Sequence, residues 1–470
     1  MPALLTGGSP AHRQRPPLLA PIVIGAAETS NALARAYALV DEHVGVVHQL
    51  VVHEIGPADP PFFYATAQLA STAEFSDVRA SALNGGAGWD ASTAMMAALG
   101  EAMERYGIAL YAEADLVRGS YEDLQRDAID PRRFVFFAEE QYGWRDFPYT
   151  RVDPTAPLSW VAGTSLVDGR ERLLPAARVY TPYKAPRHAE LIMQSTSTGA
   201  ACHVDRDHAI LSALYECIER DAFTIAWLNR LALPEISLAD VRDDQLDHAR
   251  RLLADRGLEP VLLDATSDLA CPTVVCVLHG HGDDTPAVAF GAATRGTLRA
   301  AARKALVESA HTWFWIHTRC LEHGMASFRD DYTDVRTLDK HSLLYGHPRM
   351  RDRVAFLQDD VPDAVRRFKA WTHAAAASTD TSPAAELKRC VQNLARAGLD
   401  AVVVDVTPDD VRELGFVVVR VAVPDLHPLW GGHHVRCLGG TRVRTVPVTM
   451  GYFATERRAA DLNHDPHPMP

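Results

Sequence analysis

Apolar and polar positions along this 470-residue chain change period several times, and each change predicts an element. Residues 1–17, rich in Pro, Gly and Arg, read as a disordered arm, after which the run PIVIG (21–25) predicts a short strand. ETSNALARAYALV (28–40) then carries apolar residues at helical spacing and predicts a helix capped near Thr29 or Ser30. From about Val44 to Ala293, strand-like runs (VGVVHQLVVHEI, PTVVCVLHG, PAVAFGAA) alternate with long helical patterns, which predicts an α+β fold rather than a pure helical bundle. Residues 321–382 are rich in charge, His and Ala and read as helices and loops, in the position of a lid or insertion. LKRCVQNLARAGLD (387–400) predicts an amphipathic helix ending at Gly398, and AVVVDVT and GFVVVRVAVP predict two β-branched strands after it. The last residues, 459–470, have no apolar pattern and end in PHPMP, an extended polyproline-type tail.

Charge narrows the function. With 47 Lys and Arg against 60 Asp and Glu the net charge is −13, so a broad basic face for nucleic acid is not expected. No stretch approaches the ~18 apolar residues of a membrane span. Residues 18–27 (LLAPIVIGAA) imitate a signal-peptide core, but Pro16, Pro17 and Pro21 crowd a short apolar run. Seven scattered cysteines without a CxxC pair argue against a disulfide framework and for a reducing, cytoplasmic setting.

The chemistry is written in a repeated phrase. Ala98-Leu99-Gly100-Glu101-Ala102-Met103-Glu104-Arg105 returns as Ala213-Leu214-Tyr215-Glu216-Cys217-Ile218-Glu219-Arg220, and Ala305-Leu306-Val307-Glu308 is a partial third copy. On a helix, positions i and i+3 share a face, so each full copy sets two carboxylates side by side, with Arg one turn beyond the first. Such a pattern ordinarily marks a solvated face with weak salt bridges. Here the acidic residues alternate with Leu99, Met103, Leu214, Cys217, Ile218 and Leu306, so the helices read as buried. Carboxylates converging in a core repel one another unless divalent cations and arginines neutralise them, and Mg²⁺ shared with phosphate oxygens is the natural solution. Each full copy follows a Gly- or hydroxyl-rich approach, residues 81–88 and 194–201, of the kind that can present backbone N–H groups to phosphates. Neither approach matches a Walker A loop or a strand-coupled GxGxxG.

TSTGAACHVDRDHAILSALYECIERDAF resembles the signature of the YcaO superfamily, and ASALNGGAGWDASTAMMAALGEAMERYG is similar to its upstream partner. The resemblance runs from about Gly45 to the C-terminus and includes the closing DVTPDDVRELGFVVVRVAVPDLHPLWGGHHVRCLGGTR region. It implies a YcaO-type fold, mixed sheets and packed helices around an ATP site, over residues 45–458, with 1–44 as a lead-in and 459–470 as a Pro-rich tail. It also implies Mg²⁺ at Glu101, Glu104, Glu216 and Glu219, and ATP contacts from Arg105, Arg220 and Glu308. The family's leading Ser is Ala98 here, and the Gln and Arg that commonly follow the third Glu are His311 and Trp313, which leaves contacts there open. Azoline-forming members characteristically end in PxPxP, and Pro466-His467-Pro468-Met469-Pro470 fits, so Pro466, Pro468 and Pro470 are carried over as contributors to the chemical step.

The implied activity is ATP-dependent cyclodehydration of Cys, Ser or Thr in a ribosomally made precursor peptide to thiazoline or oxazoline, as in thiazole/oxazole-modified peptide biosynthesis. The close alternatives are thioamide or amidine formation, and a catalytically weakened scaffold that binds nucleotide or peptide without turnover. The implied partner is a separate leader-binding protein, winged-helix or ThiF-like, and a homodimer is left open. Three other constellations are assigned to structure: His279 and His281 in a polar hairpin, the His433-His434 loop pair, and Cys202 beside His203.

Overall fold

Three helices of the chain each begin on a side-chain cap and each carry an acidic motif, and the fold is organised around them. The structure is a computed structural model that describes residues 26–72, 80–237, 241–282, 285–376 and 382–470. The expected disordered arm and the PIVIG strand lie outside these residues. Helix α1 (Ala26–Ala36) is already formed at Ala26, so Thr29 and Ser30 lie within it rather than capping it. The Ala-Ala-Glu before them are good helix formers and extend it upstream.

The first sheet is an antiparallel meander of β1 (Val47–Val52), β2 (Phe63–Leu69) and β3 (Leu83–Gly88), followed directly by helix α2 (Ala91–Ala109). The largest sheet takes in β4 (Val117–Ser120), β5 (Pro157–Ser165), β6 (Glu171–Pro175) and β7 (Ala200–His203). Helix α3 (Arg206–Asn229) leaves β7. After α4 (Asp244–Ala254), a second antiparallel meander of β8 (Leu258–Asp264), β9 (Thr273–Gly280) and β10 (Val288–Thr294) leads into α5 (Leu298–His323). Within 321–382, the described residues 321–376 and 382 are helix and loop as expected, with α6 (Leu338–Tyr345) and α7 (Asp363–Ala376). Helix α8 (Pro383–Arg396) is followed by β11 (Val402–Asp405) and β12 (Val417–Ala422), which complete the large sheet in the order β4-β5-β11-β12-β7, with β6 pairing β5. Helix α9 (Arg442–Met450) precedes the tail.

The two meanders are built alike. In each, the helix that follows packs against the last strand, and a glycine at the contact lets the backbones meet. A Cβ on Gly86 would lie 2.2 Å from the Ala94 carbonyl oxygen, and one on Gly291 would lie 2.2 Å from the Ser309 nitrogen. The alanines of the motifs, Ala98 and Ala305, are fully buried beside these strands. Caps fix where the helices start: Asp90 accepts the Thr93 N–H, Asp205 the His208 N–H and Thr297 the Ala300 N–H. Helix α3 is buried on most of its circumference because β12 lies on one side and β10 on another. A helix enclosed in this way cannot carry carboxylates as a solvated face.

Candidate active site

Helix α2 supplies Glu101, Glu104 and Arg105, α3 supplies Glu216, Glu219 and Arg220, and α5 supplies Glu308. Glu101 accepts the Gly85 N–H at 2.9 Å with one oxygen and Arg105 at 2.9 Å with the other. Glu104 accepts the Cys202 N–H at 2.9 Å, and Glu216 accepts the Gly199 N–H at 2.8 Å. Arg220 Nε stands 3.6 Å from Glu216 and 3.7 Å from Glu219. Glu308 forms an ion pair with Lys304 one turn earlier on α5.

These carboxylates feel one another. Burial pushes the Glu104 carboxyl up to about 8, with Glu101 and Glu216 adding to the rise against the pull of Arg105. Burial pushes Glu219 up to about 7, with Glu216 and Glu308 adding against Arg220 and Arg295. Glu308 is also raised by burial, but Lys304 and Arg295 outweigh that and hold it at about 2. The five carboxylates predicted from the repeat therefore belong to one electrostatic cluster.

The Gly-rich approaches act differently from the phosphate loops that the sequence suggested. Residues 83–88 are strand β3, and the Gly85 N–H is given to Glu101; the Gly199 N–H, at φ +89°, is given to Glu216. Each approach thus anchors a carboxylate of the following helix. His311 covers the same strand, since a Cβ on Gly85 would lie 2.6 Å from its Cε1. Trp313 is fully buried and donates to the Pro286 carbonyl at 3.3 Å, so it belongs to the core.

One arginine here was missed in the sequence. Arg420, fully buried on β12, donates to the Arg178 carbonyl at 3.1 Å and to the carbonyls of Thr196 and Ser197. It thereby shapes the segment that ends at Gly199. Burial, with the Arg178 charge adding, brings Arg420 down to about 9. The signal was present: an arginine at an inward position of the apolar run VVVRVA needs a buried partner.

Among the described residues, no three of His, Cys, Asp and Glu stand as a ready metal site. The carboxylates instead spend oxygens on N–H groups and arginines. The donor set nevertheless suits a hard cation with a polyphosphate. Two carboxylates are held above their ordinary range, and Arg220 Nη1 is buried with no partner among the described residues.

The tail, expected as an extended segment, is extended and docked. Asp465, Pro466, His467, Pro468 and Met469 are buried, while Pro470 is exposed. The Asn463 N–H donates to the Leu228 carbonyl at 2.7 Å and Trp227 Nε1 to the Asp465 carbonyl at 3.2 Å, so the tail runs along α3. Tyr345 donates to the Pro466 carbonyl, His341 Nδ1 to the His467 carbonyl at 2.8 Å, and His467 Nε2 to the Trp430 carbonyl at 2.9 Å. The Asp465 carboxylate stands 3.6 Å from Arg230 and 3.7 Å from Arg353. Burial, with His341 and Arg220 adding, holds the His467 ring well below its ordinary range and therefore neutral.

The lesser constellations are structural. His279 is the penultimate residue of β9, and His281 pairs with Glu259 at 3.1 Å; Asp283 and Asp284 lie outside the described residues. His433 and His434 sit in a short 3₁₀ turn, with Arg436 bonded to His433 at 2.8 Å. Burial pushes the Cys202 thiol well up, and His203 Nδ1 accepts the Asp205 N–H at 2.9 Å, so the two form no dyad.

The profile of the family described as YcaO cyclodehydratase, ATP- and Mg²⁺-binding, matches residues 85–427. A protein of Methanothermobacter thermautotrophicus, itself uncharacterized, is 27% identical over 368 residues, which are 75% of this chain and 85% of that protein. Among solved structures, a heterocyclase in complex with substrate and cofactor superposes with a TM-score of 0.77 at 22% identity, over 94% of this chain and 57% of the heterocyclase. This chain thus spans little more than half the length of that one. YcaO from Methanopyrus kandleri, bound with AMPPCP and Mg²⁺, superposes with a TM-score of 0.57 at 20% identity, over 85% of this chain and 91% of its own. With the acidic motifs of all three helices inside the matched span, the chain belongs to the YcaO family of ATP- and Mg²⁺-binding cyclodehydratases.

Proposed function

We propose that this chain is an azoline-forming YcaO enzyme, which closes Cys, Ser or Thr side chains of a ribosomal precursor peptide onto the preceding amide. The observation that carries the reading is the docked tail: Pro466, His467 and Pro468 are buried along the helix that bears Glu216, Glu219 and Arg220. A tail that touched nothing would favour the thioamide or amidine alternative, or a scaffold without turnover.

The side chain of the substrate attacks the carbonyl and gives an adduct whose oxygen is a poor leaving group. ATP, as co-substrate, converts that oxygen to a phosphate ester, and its loss as phosphate leaves the ring. Mg²⁺, when bound, neutralises the charge that gathers on the phosphates. Glu101, Glu104, Glu216 and Glu219 would hold the cation, with Glu104 and Glu219 giving up the protons that burial favours on them. Arg105 and Arg220 orient carboxylates on their own helices and have further N–H groups for phosphate oxygens. Lys304 holds Glu308 ionised beside them, and Arg420 fixes the carbonyls of Thr196 and Ser197 so that the Gly199 N–H stays on Glu216.

Leader capture is assigned to a separate winged-helix or ThiF-like partner. The test is a reconstituted assay with precursor peptide and partner. Mg²⁺-dependent ADP release should accompany loss of one water per ring, and the chain alone should process the full-length peptide slowly. Sulfur incorporation without water loss, or no ADP, overturns the reading.

A further inference from the structure

The tail carries one side chain able to take a proton. His467 is fully buried, and its Nε2–H is committed to the Trp430 carbonyl at 2.9 Å. That bond fixes the tautomer, so Nδ1 is left as an acceptor lone pair. Among the described residues, Nδ1 has no hydrogen-bond partner.

The fold puts this ring near Arg220. Residues 427–430 cross α3 just past that arginine: the His427 N–H donates to Asp221 at 2.9 Å, and Thr224 Oγ1 to the Pro428 carbonyl at 3.4 Å. The next turn of α3 meets the tail itself, at Trp227 and Leu228. His467, two residues beyond the Trp227 contact and hung from Trp430, is therefore carried back along α3 toward Arg220. The Arg220 charge indeed contributes to keeping the ring neutral. Arg220 has a buried Nη1 with no partner among the described residues. A buried donor and a buried acceptor, on two elements held together by the same strap, are each left open. A hydroxyl is the small group that satisfies both, accepting from one and donating to the other.

We propose that His467 is a catalytic residue of the cyclodehydration, its Nδ1 accepting the proton of the adduct hydroxyl while Arg220 Nη1 donates to the same oxygen. This rests on the azoline reading above. The adduct O–H bond breaks and its proton passes to Nδ1, giving imidazolium. The freed oxygen bonds to the γ-phosphorus, and the bond from that phosphorus to the bridging oxygen breaks, leaving ADP. When the ring nitrogen forms its double bond to carbon, the C–O bond to the phosphorylated oxygen, which was the amide oxygen, breaks and phosphate departs with it. The amide proton goes to solvent, and the imidazolium returns its proton to the departing phosphate. His341 is the positioning residue: it stacks on His467 with centroids 4.0 Å apart and clamps the His467 carbonyl.

His467→Gln separates proton transfer from docking, because the Gln amide N–H can replace the bond of Nε2 to Trp430 while Nδ1 is lost. The variant should keep AMPPCP·Mg²⁺ affinity and hydrogen-exchange protection of residues 462–469. Its single-turnover ring formation on a Cys-containing precursor should fall about 100-fold or more. Added imidazole should restore part of the rate of His467→Ala. Ring formation by His467→Gln near the wild-type rate overturns the proposal, as does a rate loss that comes only with loss of tail protection and no imidazole rescue in His467→Ala. A wild-type protein that removes no water from the precursor overturns the azoline reading, and this step with it.

Discussion

Glu104, on α2, accepts the backbone N–H of Cys202, on β7, at 2.9 Å. A carboxyl group of the first acidic helix is thus tied to the strand that leads into the second, and the two copies of the motif cannot separate without breaking a buried hydrogen bond.

Glu104 and Glu219 are pushed up by burial, to about 8 and about 7, so the protein without nucleotide or cation carries strain there. Glu104→Gln and Glu219→Gln should unfold at the same temperature as wild type or slightly higher at pH 8. Both should lose peptide-dependent ATP turnover. Alanine at Glu101 or Glu216 should abolish turnover too, with a larger stability loss because Gly85 or Gly199 loses its acceptor. Calorimetry and ADP release measure the two effects; wild-type turnover in all four would remove these residues from the site.

Deleting Pro466–Pro470 should abolish ring formation while ATP still binds. It should also lower the melting temperature by several degrees, since Met469 belongs to the core cluster around Trp227, Phe290 and Tyr345. Unchanged ring formation would return the tail to a structural role.

Arg420→Met should destabilise the chain by about 3 kcal/mol, because three backbone carbonyls lose a buried guanidinium donor. The KM for ATP should rise as residues 196–199 relax. Denaturant titration and steady-state kinetics on the same preparation check both.

Asp264 is buried, and although burial alone raises its carboxyl, Lys369 and His373 bring it down to about 2, from 3.8. A depressed carboxyl binds fewer protons folded than unfolded, so its contribution is full above about pH 4 and disappears as pH falls through about 2. Asp264→Asn should therefore cost about 2 kcal/mol at pH 7 and progressively less in acid, read as converging urea midpoints.

Gly86→Ala should displace α2 from β3, since the added carbon would lie 2.2 Å from the Ala94 carbonyl oxygen and 2.4 Å from the Ala98 nitrogen. A loss of about 2 kcal/mol is expected, with weaker nucleotide binding because Glu101 moves with its helix. Wild-type stability would show that the two elements are not in close register.

By itself the sequence determined most of the elements and singled out the acidic residues that cluster. Periodicity gave the β-branched strands β11 and β12 and the helix before them, because burial of one face writes itself into local spacing. The ALxExxER repeat singled out Glu101, Glu104, Glu216, Glu219 and Glu308 because carboxylates among apolar helical positions require a shared reason to be there. Tertiary structure alone decided which backbone N–H groups Glu101, Glu104 and Glu216 accept, and it turned residues 83–88 of an expected loop into a strand. It also decided that Trp313 faces the core, that Arg420 holds the 196–199 segment, and that PHPMP lies against α3. Each of these depends on contacts between residues far apart in the chain: Arg420 with Ser197 and Asp465 with Trp227. Local spacing carries no record of such distances, whereas a buried polar group must find its partner wherever the fold brings one.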